Sequence, residues 1–256
     1  MSIARLAPIG VGVGVLSGLL GIGGGVVLVP LLVLLLAMRQ KHAQATSLAA
    51  ITLTAVAGAV SYGMAGDVLL VPALVIVAGG FVGSLLGAEL VHRLSERTLR
   101  IIFAAVMVAV AVRMAVAPPV EGAGELADLD LPVLLGFVGS GLLMGLLSAL
   151  IGVGGGVVMV PLLVLGFGFT PHEAQGTSLA VMVPISLMGA WRHARRGYTD
   201  WRAGIVLGVG GVVGAPLGAL LAQAISAEWL QRLFAVLLVV TAVQLVLRAR
   251  RGPRPS

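Results

Sequence analysis

The 256-residue chain contains no cysteine, so disulfides, thiol catalysis and cysteine-based metal sites are excluded. Charge is also scarce. Only 10% of the residues are Asp, Glu, Lys or Arg, while 59% are hydrophobic; soluble domains carry about 25% charged residues. Ionisable side chains within a membrane are rare and usually functional, and the middle of the apolar segments holds none. Glu89 lies a few residues from the His92/Arg93 end of its segment, and Arg113 lies near the end of its own. This leaves no obvious cation site and no clear proton relay. The four histidines, His42, His92, His172 and His193, sit at segment ends without metal-ligand spacing, so neither a metal nor a cofactor is expected. No close set of histidine, carboxylate and nucleophile suggests an enzyme.

What remains is apolar, with a mean hydropathy of +1.13. The 37 glycines and 12 prolines are commoner in membrane helices than in soluble ones. The chain reads as an all-α polytopic membrane protein. Its net charge of +6 does not indicate nucleic acid, because the basic residues stand in short clusters between apolar runs and at the C-terminus.

The sequence is written twice. Gly21-Ile-Gly-Gly-Gly-Val-Val-Leu-Val-Pro-Leu-Leu-Val-Leu34 recurs from Gly152 to Leu165 with twelve of fourteen positions identical, an offset of 131. The offset holds without a gap. Ala43-Gln44-x-Thr46-Ser47-Leu48-Ala49 falls on Ala174-Gln175-x-Thr177-Ser178-Leu179-Ala180, and Gly66, Gly83, Gly87, Ser95 and Phe103 fall on Gly197, Gly214, Gly218, Ser226 and Phe234. The first repeat covers residues 1–117, with apolar segments at 9–37, 44–65, 69–92 and 99–117. The second covers 132–250, with segments at 138–168, 175–191, 203–225 and 229–247. Between them lies an acidic linker, 118–131, and after them a basic tail, 251–256.

A membrane crossing needs about 20 apolar residues, which most of the eight segments supply. The leading segment of each repeat is longer and interrupted. Proline is accommodated in the first helical turn, so Pro30 predicts a helix starting near residues 28–30 and irregular backbone over 21–27. The flanking half-helices, 9–20 and 29–37, are too short for a hydrocarbon core of about 30 Å.

Lysine and arginine favour the cytoplasmic side. If each leading segment is a re-entrant hairpin, the clusters Arg39/Lys41, Arg93/Arg97/Arg100, Arg192/Arg195/Arg196/Arg202 and Arg248/Arg250/Arg251/Arg254 all fall inside. Asp67, the linker acids Glu121, Glu125, Asp128 and Asp130, the loop 169–174 and Glu228 then fall outside. If the leading segments cross instead, Arg93–Arg100 moves outside. The charges therefore predict two inverted repeats, each a broken, re-entrant hairpin followed by three spans. Both termini would be cytoplasmic in a multi-pass cell-membrane protein.

Inverted repeats with interrupted helices are the recurrent architecture of secondary transporters. Gly23-Gly24-Gly25 and Gly154-Gly155-Gly156 would each expose backbone N–H groups at a half-helix N-terminus, where the donors and the dipole favour an anion. Glycine permits close approach and left-handed backbone. The competing reading is that the glycines only allow tight helix packing. Gln44, Thr46 and Ser47, with Gln175, Thr177 and Ser178, would add amide and hydroxyl donors within one turn. Alternatively, the hydroxyls only bond back to their own helix carbonyls. Ser17 and Ser148, also a repeat pair, are weaker candidates. No Walker lysine follows either glycine run.

The repeated G-x-GGG-x4-P-L-L element followed by A-Q-x-T-S-L-A resembles the sulfite exporter TauE/SafE family of membrane transporters, over essentially the whole chain. The resemblance implies a bacterial or archaeal cytoplasmic-membrane transporter of small sulfur-containing anions, with the lipid bilayer and a small anionic substrate as its partners and a homo-oligomer left open. It also implies that Gly23–Gly25, Gln44, Thr46, Ser47, Gly154–Gly156, Gln175, Thr177 and Ser178 are substrate-binding positions. One departure stands out between the halves, where Ser61, Tyr62 and Met64 correspond to Arg192, His193 and Arg195. The expected function is secondary transport of a small sulfur oxyanion, outward, by alternating access. An anion channel and a structural membrane subunit are the alternatives.

Overall fold

A computed structural model describes residues 6–90, 96–116, 130–151 and 155–250. Regular structure among these residues is entirely helical. The elements are α1 (Leu6–Leu20), α2 (Gly25–Leu35), α3 (Gln40–Met64), α4 (Leu70–Leu90), α5 (Glu96–Val116), α6 (Leu131–Ile151), α7 (Gly156–Phe167), α8 (Pro171–Ala194), α9 (Trp201–Ala224) and α10 (Ala227–Arg250).

Both leading segments are broken. The break in the first is shorter than Pro30 predicted, because α2 starts at Gly25 and carries Pro30 inside it. A proline there leaves the carbonyl four residues earlier, on Val26, without its helical N–H. Membrane helices tolerate this where neighbouring groups re-satisfy the freed backbone. Pro161 sits at the same place in α7. With 15 and 11 residues, α1 and α2 are roughly 22 and 16 Å long at about 1.5 Å per residue. On the other side of the repeat, α6 begins at Leu131, ahead of the segment expected from residue 138. Pro132 fits its first turn, and leucines and valine continue the helix.

Among the described residues, three stretches are long and apolar enough to cross a membrane: Gln40–Met64, Trp201–Ala224 and Ala227–Leu247. The segment expected at 175–191 belongs to α8, which is not among them. Gln175, Thr177, Ser178 and Ser186 make it more polar, and all four are buried. It is a helix wrapped by protein on most sides, so its polar residues need not face lipid.

The two repeats interleave. α1 packs along α9, and α4 along α6. Both contacts are backbone on backbone. A Cβ added at Gly10 would stand 2.2 Å from the Leu207 carbonyl oxygen, and one at Gly141 would stand 2.1 Å from that of Ile76. The match continues between Gly214 and Val11 (2.1 Å) and between Gly83 and Leu142 (2.2 Å). Small residues let membrane helices approach this closely. The registers Gly10–Leu207 and Gly18–Ala215 show that α1 and α9 run parallel. The central pair, α3 and α8, runs antiparallel: Gly58 meets Leu179, Gly189 meets Leu48, and Thr52 Oγ1 lies 3.0 Å from Ser186 Oγ. α5 and α10 pair at the side, where Gln231 Nε2 donates to the Met114 carbonyl at 2.6 Å.

Candidate functional site

The first break turns on glycines that no other residue replaces without strain. Gly21, Gly23 and Gly24 have φ of 66°, 68° and 77°, and Gly155 in the second break has 74°. Left-handed backbone costs an L-residue about 1–2 kcal/mol. Gly24 and Gly155 are the N-cap residues of α2 and α7, and no side chain caps either terminus. The Gly24 carbonyl accepts from Val27 and Leu28 at 3.1 and 2.9 Å. That leaves the N–H groups of the first residues pointing out of the helix end. Gly25 and Gly156 are the opening residues of α2 and α7. Gly154 lies outside the described residues, as do the acids Glu121, Glu125 and Asp128, Arg93 and the tail 251–256, while Ser148 falls in α6.

The two breaks meet. A Cβ on Gly156 would stand 3.0 Å from the Cα of Ile22 and 2.6 Å from Met182 Sδ, and one on Gly23 would stand 2.2 Å from Met182 Cε and 3.0 Å from Ile51 Cγ2. Met182 and Ile51 occupy equivalent places in α8 and α3, so each central helix sends one apolar side chain into the junction of the breaks. Both are buried, as is Ile22.

Three hydroxyls on the helices that line this junction stand out. Ser17, Ser47 and Ser178 are fully buried, and their oxygens have no hydrogen-bond partner. Ser17 Cβ lies 3.6 Å from where a Cβ on Gly24 would stand, beside the uncapped end of α2. Ser47 is one helical turn before Ile51 and Ser178 one turn before Met182, so each serine shares a face with a residue touching the breaks. These serines do not make the back-bond to their own helix that the competing reading required. Thr52, Thr54, Ser61 and Ser140 do make it. A buried polar group without a partner costs about 1–3 kcal/mol, so each of these positions stands out, with Ser47 and Ser178 towards opposite ends of the antiparallel α3/α8 pair.

The paired threonines do something else. Thr46 Oγ1 accepts the backbone N–H of Asp200 at 3.1 Å, and Thr177 Oγ1 accepts that of Leu69 at 3.1 Å. Each motif threonine thus ties its helix to the loop leading into a helix of the other repeat, α9 or α4. Gln175 is also engaged: its Oε1 accepts from the Tyr62 hydroxyl at 2.6 Å, and a Cβ on Gly21 would stand 2.5 Å from its Cα. Gln44 lies half-buried in the first turns of α3.

Several participants carry no sequence signal strong enough to be picked out. Tyr62 is fully buried, and its hydroxyl lies within reach of two acceptors, Gln175 Oε1 and the Gly18 carbonyl at 2.8 Å. Its contrast with His193 across the repeats was the available signal. Asp67 follows in the α3–α4 loop, where its carbonyl oxygen would be 2.4 Å from a Cβ on Gly176. Burial pushes the Asp67 carboxyl above its ordinary range. His172 opposes that and Glu173 adds to it. Met182 had only its place in a buried helix to mark it.

Among the described residues, no group of three or more His, Cys, Asp or Glu gathers to hold a metal. A cavity of about 300 Å³ between α5, α6, α7 and α10 is lined by Met107, Val157, Pro161, Leu238 and other apolar groups, away from the three serines. It offers an anion nothing.

Comparison with known proteins shows the family. The model of the sulfite exporter TauE/SafE family matches residues 1–114 and 137–256. A "Probable membrane transporter protein" of Xylella fastidiosa (strain 9a5c) is 28% identical over 240 residues, covering 93% of this chain and 92% of its own. The Bacillus subtilis (strain 168) "Probable membrane transporter protein YunE" is 26% identical over 268 residues, covering 96% and 98%. YdhB of the same organism, also named a probable membrane transporter protein, is 38% identical over 106 residues, 41% of this chain and 43% of its own. No solved structure matches. With both repeats and nearly the whole length matched, the chain belongs to the sulfite exporter TauE/SafE family of membrane transporters.

Proposed function

We propose that the protein is a secondary transporter that moves a small sulfur-containing oxyanion, such as sulfite or an organosulfonate, out of the cell by alternating access between two inverted repeats. The observation that carries this reading is the meeting of two glycine breaks, each at an uncapped helix N-terminus, with buried, unpartnered serine hydroxyls on the helices α1, α3 and α8 that line them. Uncapped helix N-termini present N–H donors and the hydroxyls can each donate one hydrogen, with no carboxylate among them, and such a set favours an anion. The packing supports the topology as well. Repeat-equivalent helices α3 and α8 run antiparallel, as inverted repeats require. α1 enters from the end where α3 and α9 begin, and α2 leads directly back to the start of α3, which is the path of a re-entrant hairpin. The loop charges favour the cytoplasmic side for that end.

The test uses the serines, because their hydroxyls hold nothing in the unliganded protein. Ser47→Ala and Ser178→Ala remove unpaired polar atoms, so both variants should fold at least as well as the wild type. Sulfite binding to purified protein is expected to weaken by about tenfold per lost hydrogen bond to the charged ligand, on the order of 1.5 kcal/mol. Gly24→Val and Gly155→Val should abolish it. Unchanged sulfite and sulfonate affinity in well-folded serine variants would sink the assignment.

A further inference from the structure

The α3–α4 loop brings together groups that the transport reading leaves unused. Asp67 stands half-buried between three elements. Behind it, its backbone N–H donates to the Tyr62 carbonyl at 2.9 Å, closing the end of α3. From α9, Gln223 Nε2 reaches its carboxylate at 3.5 Å. From α8, His172 and Glu173 are the charged groups whose fields it feels. His172 is fixed against the end of α9, its Nε2 lying 3.0 Å from the Ala222 carbonyl; since a carbonyl only accepts, that nitrogen carries hydrogen. Glu173 is fixed by the capping box of α8, accepting from the Thr170 N–H at 2.8 Å while its own N–H donates to Thr170 Oγ1 at 3.1 Å. On α10, Glu228 and Arg232 pair with each other. Two residues beyond Asp67 is Leu69, whose N–H makes the bond to Thr177 that ties this loop to α8.

We propose that Asp67, flanked by His172 and Glu173, is a proton-binding site linked to the Leu69–Thr177 tie, so that opening this end of the molecule releases a proton and closing it takes one up. The inference deepens the alternating-access reading and rests on it only for what the opening admits.

The physical argument has a sign. In the closed arrangement the Asp67 carboxyl is held above its ordinary range, mainly by desolvation. Lifting the loop away from α8 and α9 returns it to water, where the charged form is favoured. The closed form therefore binds the proton more tightly, and by linkage a rise in pH favours the open form. The neighbours tune the range in opposite directions: His172 lowers the carboxyl's proton affinity and Glu173 raises it.

The absence of cysteine makes a clean experiment possible. Leu69→Cys places one thiol, half-buried, in the tie while leaving its backbone N–H in place. The labelling rate of the full-length protein by a charged methanethiosulfonate is measured against pH, relative to a Leu70→Cys reference at an exposed position. No substrate is added, so the result stands apart from sulfite binding. The ratio is expected to rise with pH, by at most about tenfold per unit for one linked proton. Asp67→Asn should flatten it. Glu173→Gln keeps a residue that serves a capping box and should move the midpoint to lower pH, whereas His172→Gln keeps an N–H donor and should move it to higher pH. A flat wild-type profile, a wild-type profile surviving in Asp67→Asn, or shifts of the same sign in the two neighbour variants would overturn the proposal.

Discussion

The two ends of the α3/α8 pair have the same backbone and opposite chemistry. At one end, Gly66 in left-handed conformation (φ 85°) closes α3, Asp67 N–H returns to Tyr62, and Thr177 takes the N–H of Leu69. At the other, Gly197 (φ 72°) closes α8, Tyr198 N–H returns to His193, and Thr46 takes the N–H of Asp200. Every step is shifted by the repeat offset. The side chains differ, however. Tyr62, Asp67, His172 and Glu173 occupy one end, and their equivalents His193, Tyr198, Lys41 and His42 the other, with Tyr198 packed against His42 at 5.4 Å between ring centroids. Glycines and threonines fix the shape, and the residues around them set the charge. A duplicated scaffold can thus present unlike faces to the two sides of a membrane without altering its frame.

If the frame is common, equivalent glycines should fail together. Gly83→Ala and Gly214→Ala each drive a Cβ to 2.2 or 2.1 Å from a backbone oxygen, and both are expected to lose most of the folded, monodisperse protein in detergent. A control lies at Gly12, where a Cβ meets nothing within 4 Å; Gly12→Ala should gain up to about 1 kcal/mol through helix propensity. Tolerance at one site of the pair alone would break the equivalence. Next in size, Thr46→Val and Thr177→Val each strand a loop N–H, at about 1–3 kcal/mol, read as lower thermal midpoints. Serine at either position should recover most of the loss, because it keeps the acceptor. The smallest effect tests a departure from the symmetry. α7 ends at Gly168 with φ 72°, whereas the equivalent residue after α2, Ala37, takes φ 51°. Ala37→Gly relieves that conformation and should stabilise by about 0.5–1 kcal/mol, while Gly168→Ala should destabilise by a similar amount.

The duplication, the broken leading segments and the polar motifs were all legible as pattern, because each depends on local spacing. What each residue holds was not. Thr46 and Ser47 are adjacent and equally buried, yet one grips a loop of the other repeat and its neighbour grips nothing. That distinction depends on where a distant backbone N–H arrives. Pro30 misplaced the start of α2 for a related reason: in water a freed carbonyl at Val26 argues against helix, but within a packed membrane protein it does not. Asp67 looked like a loop acid because burial of a loop is invisible until the helices beside it are placed. Met182 was one more apolar residue until two glycine runs were found on either side of it.

The interleaving of the repeats also has a consequence for how such a chain can arise or be divided. Neither half contains the partner of its own leading helix, since α1 lies on α9 and α6 on α4. Severed at the linker and expressed separately, each half would carry an unmet row of glycines suited to the other. By the same logic, an ancestral single unit with this packing had its missing partner only in a second copy of itself. Fusion of two genes would then have fixed in one polypeptide an association that earlier depended on encounter.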